Sequence, residues 1–447
     1  MPFPSSQYLR SDARKILTLG APLIANNLAT SGMAFADTVM AGQLGARELA
    51  GLAVGVGYYM LCFLFGMGAL MSISPCVAHA YGAGDDESVT RYLRQSLWIV
   101  LGISALVVFA LHQSAALFEC FDIEAGIRPI AIGYAEAVSW GIPPFFGFLA
   151  LRYTSEGLGI TRPIMFIAFL GLAVNVLGNW LLIYGHWDLP KMGAIGCAVA
   201  TAIAQWLMFF AMLFYMRRHA AYKEYGFFRR IDQPQFDVIK QLLSIGLPIA
   251  GCLTAEGGLF VVAAWLMGSM SATIAAAHQI ALNYASLMFM IPLAMNSATT
   301  IHVGHALGRG DKEAARISGW VGISMCGMVM FVSALFIVVF NDQIAAMYTS
   351  DLPVRELAMT LLLMAAIFQV SDGMQVGAAG ALRGFKDTNV PLAITLFAYW
   401  LVGFPVAYYF GVYRNGGPVY VWAGLIAGLT VAAMLLNLRY RAISKRQ

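Results

Sequence analysis

The chain has 447 residues, 60% of them hydrophobic and only 11% charged, with a net charge of +4 and a mean hydropathy of +0.73. Soluble domains carry about 25% charged residues, so too few polar side chains are present to cover a water-facing surface. This excludes a soluble globule, a disordered chain, a collagen and a secreted disulfide scaffold, and leaves an integral membrane protein.

A membrane-crossing helix needs about 20 apolar residues. The apolar runs predict twelve spans, near 15–40, 48–80, 95–117, 128–151, 163–185, 193–216, 240–268, 273–306, 317–340, 355–381, 391–411 and 420–438. They are continuous runs and not the short alternating strands of a barrel, and 45 glycines suit close helix packing in lipid. Residues 1–14 are polar, so no cleavable signal is expected. With the amino terminus inside, 22 Lys and Arg fall on the cytoplasmic side and 5 on the other. Both termini are therefore expected in the cytoplasm. The basic residues set topology, and no nucleic-acid partner is expected.

Span 1 carries Asp37, deep in apolar surroundings where a charge costs about 2.5–3.5 kcal/mol to insert. Span 2 ends in a G-x-G-D turn after His79, and the turn after His305 at the end of span 8 matches it; these read as capping and packing spans 2 and 8, with a proton-shuttling role for the histidines as the alternative. Glu136, near the outer end of span 4, reads as solvated. In span 5, Asn175 and Asn179 of VNVLGNW lie four residues apart and share a face. Two such amides could coordinate a cation or hold the Asp37 carboxylate, with Thr201 of span 6 as a third oxygen. Plain hydrogen bonding between helices would use the same groups. Residues 217–239 form the longest polar and basic stretch and read as a linker between lobes 1–216 and 240–447.

Span 7 carries Glu256 and span 10 carries Asp372, and no Lys or Arg inside a span is expected to pair with Asp37, Glu256 or Asp372. Buried acids of this kind serve ions, protons or substrate. In span 8, Gln279 and Asn283 lie four apart near Phe289 and Met290. Aromatic and thioether surface beside carboxylates would suit a greasy cation, although such residues also fill ordinary cores. Prolines fall inside spans at 22, 75, 143, 144, 248, 292 and 405. The six cysteines are scattered with no C-x-x-C spacing and read as small buried hydrophobes.

The chain is two copies of one six-span unit. An offset of 226 places Gly246 and Pro248 on Gly20 and Pro22, Phe289 on Phe63, and the stretch from Val303 to Asp311 on that from Val77 to Asp85. Six is even, so both copies enter the membrane alike, as in transporters whose halves are related by an axis along the membrane normal. The acids break this symmetry. Glu256 falls on Thr30, Asp372 on Phe146 and Asp37 on Ala263, while Asn175 and Asn179 fall on Leu401 and Pro405. A purely architectural requirement would have been duplicated with the fold. No G-x-x-x-x-G-K-[ST], H-E-x-x-H or G-x-S-x-G pattern is present, so neither an ATP-driven pump nor an enzyme is expected.

The stretches FADTVMAG at 35–42, VNVLGNWLLIYG at 174–185, AAHQIALNYASLMFMIPLAMNSATTIHVGHALG at 276–308 and QVSDGMQVGAAGALRGFKDT at 369–388 carry a resemblance covering essentially the whole chain. It resembles the multidrug and toxic-compound extrusion (MATE) family, NorM-like branch. The resemblance implies an all-α bundle of twelve transmembrane helices in two lobes, acting as a monomer in the bacterial inner membrane. It implies export of drugs, mainly organic cations, in exchange for Na+ or H+ by alternating access, with no other cofactor. The family's acids map onto Asp37, Glu256 and Asp372, with Na+ expected at Glu256 and Asp372. Its polar residues map onto Asn175, Asn179 and Thr201. Some relatives have an acid in place of Asn179 and a tyrosine in place of Phe289. A flippase of a lipid-linked precursor and an ion-coupled importer are the alternatives; the former calls for several cations facing phosphate, whereas the buried charges expected here are acidic.

Overall fold

The computed structural model describes residues 6–446 apart from 122, 189 and 231; residues 1–5, the start of the expected first lobe, lie outside the described residues. Among the described residues every regular element is helical. The first half comprises α1 (Ser6–Gly42), α2 (Ala46–Leu70), α3 (Ile73–Ala83), α4 (Asp86–His112), α5 (Ser114–Cys120), α6 (Arg128–Ser139), α7 (Ile142–Gly157), α8 (Arg162–Tyr184), α9 (Ala194–Arg218) and the short α10 (Ala220–Lys223). The second comprises α11 (Phe236–Met270), α12 (Ala272–Gly308), α13 (Lys312–Tyr348), α14 (Leu352–Gly384), α15 (Asn389–Leu396), α16 (Phe404–Val406) and α17 (Pro418–Arg446). Two π-helical stretches, Phe397–Gly403 and Ala407–Tyr413, flank α16.

These make twelve membrane-length stretches, six in each half. Among the described residues ten are long and apolar enough to cross a membrane by length and composition alone. The other two are α1, made more polar by Asn26, Asn27, Thr30 and Ser31, and the α6–α7 stretch, interrupted at Trp140 and Gly141. Large apolar side chains such as Met328, Phe331, Val332, Leu335 and Val339 of α13 stand exposed, a surface that suits hydrocarbon and not water.

Four expected spans are not single α-helices, the third because α4 ends at His112 and the chain restarts as α5 at Ser114. The second breaks at Met71–Ser72 ahead of Pro75, and the fourth at Trp140–Gly141 ahead of Pro143 and Pro144. Proline lacks a backbone donor and fits the first turn of a new helix better than the middle of an old one. The eleventh widens into π turns on both sides of Pro405. Gly84 closes α3, the end of span 2, in left-handed backbone at φ 70°, and Gly310 after α12 takes the same conformation at 79°; the aspartates that follow cap the next helices, a role not expected of them. Asp85 and Asp311 then accept from the amides of Ser88 and Ala314, each at 2.9 Å.

The chain packs as two compact units, one of Met1–Ile24 with Gly251–Gln447 and the other of Ala25–Ala250. The division thus falls inside α1 and α11, two residues after Pro22 and Pro248, and not at the expected 217–239 linker. That stretch is built into the second unit. Arg94 donates to the carbonyls of Gly226 (2.7 Å) and Phe227 (3.0 Å) and pairs with Asp232. Trp98 donates to the Asp232 carbonyl, and Gln95 bonds both Gln233 and Gln235. Within the same unit, a methyl added to Gly246 would strike the Ala69 carbonyl, so α2 and α11 cross nearly backbone to backbone.

Candidate functional site

In the unit of residues 25–250, small residues bring α8 onto α9: a Cβ on Gly178 would lie 2.9 Å from that of Ala200, and one on Gly171 would press on Met208. α1 approaches the same place, with Gly32 against Leu172. This close packing delivers Asp37, Asn175, Asn179 and Thr201 to one point. Asp37 Oδ1 accepts from the amides of Asn179 (2.6 Å) and Asn175 (3.2 Å), and Oδ2 accepts from the Thr201 hydroxyl at 3.1 Å. Asn175 also donates to Thr201 at 3.0 Å, while the Cys197 thiol donates to the Asp37 backbone carbonyl. Asp37 is 7% exposed and both asparagines are fully buried. Every one of these donors is neutral. The Asn179 side-chain oxygen is buried beside the carboxylate with no hydrogen bond. The sequence-predicted quartet is therefore assembled, and Tyr59 and Tyr134, unremarkable in sequence, lie within electrostatic reach of its acid.

The other unit holds Glu256 on α11 and Asp372 on α14. Asp372 is buried and Glu256 half-buried, and they lie close enough for their charges to act on each other. α14 is seated against its neighbours by glycines and side-chain bonds. Gly373 and Gly377 lie against Cys326 and Ile323 of α13. Asn296 and Thr300 of α12 donate to the carbonyls of Val376 (2.6 Å) and Gly380 (2.8 Å). Gln279 is exposed, and Asn283 accepts from the Tyr348 hydroxyl at 2.9 Å, so neither hydrogen-bonds the carboxylates. Phe289 is half-buried. Among the described residues no cluster of three His, Cys, Asp or Glu forms a metal site.

Arg383, two residues past the expected end of span 10, donates to Asn296 Oδ1 at 3.2 Å and lies within electrostatic reach of Glu256. A further acid was missed: Glu156 is 1% exposed and takes Arg152 Nε at 2.6 Å, both within α7. In sequence the two stand near a loop, and an i,i+4 pair there reads as solvated. The acids' counterparts explain the broken symmetry. Phe146, opposite Asp372 in the repeat, stacks with Phe63 at 6.3 Å, and Ala263, opposite Asp37, lies in the apolar core with Trp422 and Phe368.

The MatE family model matches residues 22–181 and again 248–409, its two starts 226 residues apart like the internal repeat. The chain belongs to this family of membrane transporters. It is 38% identical to the multidrug resistance protein MdtK of Yersinia pseudotuberculosis serotype O:1b (strain IP 31758), over 97% of this chain and 96% of that one. It is 40% identical to the probable multidrug resistance protein NorM of Xanthomonas axonopodis pv. citri (strain 306), over 98% and 95%. Among solved structures, the eukaryotic MATE transporter AtDTX14 superposes with a TM-score of 0.89 at 17% identity, covering 98% of each chain. An outward-facing multidrug resistance MATE transporter does so with 0.89 at 21% identity, covering 100% and 99%.

Proposed function

We propose that this protein is a multidrug efflux antiporter. It exports amphipathic organic cations and other drugs in exchange for Na+ or H+, working by alternating access as a monomer in the bacterial inner membrane with both termini in the cytoplasm. The relatives' names support drug export. The observation that carries the coupling is the Asp37 carboxylate, buried among neutral donors only. An ionised carboxylate in so dry a place calls for a compensating positive charge, and among the described residues its hydrogen-bond partners are all neutral. The Glu256–Asp372 pair repeats the situation, with two acids against the single charge of Arg383.

In this reading the drug cation lies near Glu256 and Asp372, with Phe289 offering ring surface and Gln279 and Asn283 polar contacts. Na+ or H+ neutralises the same carboxylates and lowers the drug's affinity. Each ligand shifts the transporter between its two exposures only by its differential affinity for them. Asn175, Asn179 and Thr201 hold Asp37 ready, and the free oxygen of Asn179 suits Na+. The test is efflux of a fluorescent lipophilic cation from proteoliposomes, with Na+ and pH gradients imposed separately. Asp37→Asn, Glu256→Gln and Asp372→Asn are each expected to remove gradient-driven exchange at unchanged expression; exchange undiminished in all three would discard the assignment.

A further inference from the structure

Two arginines end α9 without a partner of opposite charge. Arg217 and Arg218 are exposed, and among the described residues neither pairs with a carboxylate or donates a hydrogen bond. The polar stretch that follows adds Lys223, Arg229 and Arg230, against the single acid Glu224 within residues 217–230. Asp232 is already taken, by Arg230 at 2.8 Å and by Arg94. The two guanidiniums at the helix end are instead seated on aromatic rings. That of Arg218 lies 5.3 Å from the ring centre of Phe214, one turn back on α9, and that of Arg217 lies 5.2 Å from that of Phe228. A guanidinium resting on a ring is held in place while its N–H edge stays open, and that edge grips a phosphate with two parallel bonds. Ahead of the arginines α9 bares an apolar face. Ile203, Trp206, Phe210 and Phe214 are all exposed, and their spacings of three and four residues put them on one face with Arg217 and Arg218. Trp206 and Phe210 stack at 5.4 Å. The rise from Ile203 to Phe214 is about 16 Å, against about 15 Å for the hydrocarbon of one leaflet.

We propose that this end of α9 binds one anionic phospholipid, with Arg217 and Arg218 holding the headgroup phosphate and Trp206, Phe210 and Phe214 lying along an acyl chain. A free phosphate would meet the arginines but gain nothing from the apolar face. A zwitterionic phospholipid would cover that face but bring an ammonium group to a cluster already positive. The anionic lipid matches both halves. Basic clusters beside a spanning helix attract anionic lipid in general, and α17 also ends in exposed basic residues, Arg441 and Lys445. The end of α9 differs in having two guanidiniums held on rings, in register with a face of leaflet length. Phe228, under Arg217, belongs to the stretch that Arg94, Gln95 and Trp98 hold on α4. A bound headgroup therefore braces that stretch against α9.

The test uses the full chain in a neutral detergent, with binding of dioleoylphosphatidylglycerol followed by native mass spectrometry. Wild type is compared with Arg217→Gln/Arg218→Gln, with Phe214→Leu, and with Arg441→Gln/Lys445→Gln as a control of equal charge. The arginine double variant should bind the lipid about thirtyfold more weakly, the scale for losing two cations beside a lipid phosphate. Phe214→Leu should weaken binding about threefold by unseating Arg218. The α17 variant should stay within about twofold of wild type, because exposed charges that do not touch the lipid are screened. Dioleoylphosphatidylethanolamine should bind wild type about tenfold more weakly than the anionic lipid, and glycerol phosphate should not displace the latter. The substituted side chains are exposed, so every variant should melt with wild type in the absence of lipid. Wild-type affinity in the arginine double variant would overturn the proposal. So would an equal loss in the α17 variant, which would reduce the effect to bulk charge, or displacement by glycerol phosphate, which would make the ligand a free phosphate.

Discussion

The Arg152–Glu156 pair permits the sharpest energetic forecast. Its Nε–Oε1 distance is 2.6 Å, and the two side chains are 15% and 1% exposed. With its amide oxygen turned toward α7, Asn26 accepts from Arg152 Nη1 at 3.1 Å, so the guanidinium ties α1 to α7 within one unit. Glu156→Gln removes the negative charge and leaves the guanidinium buried with neutral acceptors. Breaking a buried pair costs about 3–5 kcal/mol, and the amide oxygen keeps a weaker bond. A loss near the lower end, about 3 kcal/mol, is expected, or roughly a hundredfold in the folded-to-unfolded ratio. Arg152→Met with Glu156→Leu removes both charges and should lie within about 1 kcal/mol of wild type, because a well-packed apolar pair replaces an ionic one at little cost. Equilibrium unfolding in mixed micelles, with sodium dodecyl sulfate as denaturant, measures both. A single variant as stable as wild type, or a double variant as damaged as the single one, would refute the reasoning.

Two further outcomes follow from the ends of the helices. Asp311→Ala should cost about 1 kcal/mol by uncapping α13, seen as faster amide exchange in its first turn. Asp12, in the amino-terminal extension of α1 ahead of its apolar stretch, bonds His302 Nε2 at 2.6 Å. Burial pushes its carboxyl up, but the bond and charge of His302, together with Ser318 and Lys15, hold it below the ordinary 3.8. A depressed folded value means the tie is fully present above that pH and is lost as pH falls through the folded value. Hydrogen exchange in residues 6–24 should stay slow at neutral pH and rise only below about pH 4; Asp12→Asn should raise it already at pH 7.

The apolar runs made the spans legible, because in lipid every stretch of backbone must close its own hydrogen bonds. The Asp37 cluster was legible for a related reason. Asn175 and Asn179 one turn apart in oil pointed to a shared polar partner without naming it, and in the structure both amides donate to Asp37. The breaks at Trp140 and around Pro405 were less visible, since a proline inside a membrane helix can equally bend it or end it. Glu156, Arg152 and Arg383 escaped because burial near a helix end depends on what docks there. The docking of residues 225–235 on Arg94, Gln95 and Trp98 escaped likewise: a basic, Gly- and Pro-containing stretch carries no mark of the carbonyls it will present.

Displacement binding tests the central claim most directly, namely that a transported organic cation and a coupling ion occupy the same negative charge. With a fluorescent lipophilic cation bound to the purified protein, added Na+ or a lowered pH should each release it competitively, and the drug should weaken Na+ binding by the same factor. Simultaneous binding of drug and Na+ at unaltered affinities, in a protein that still exchanges them across a membrane, would contradict the account.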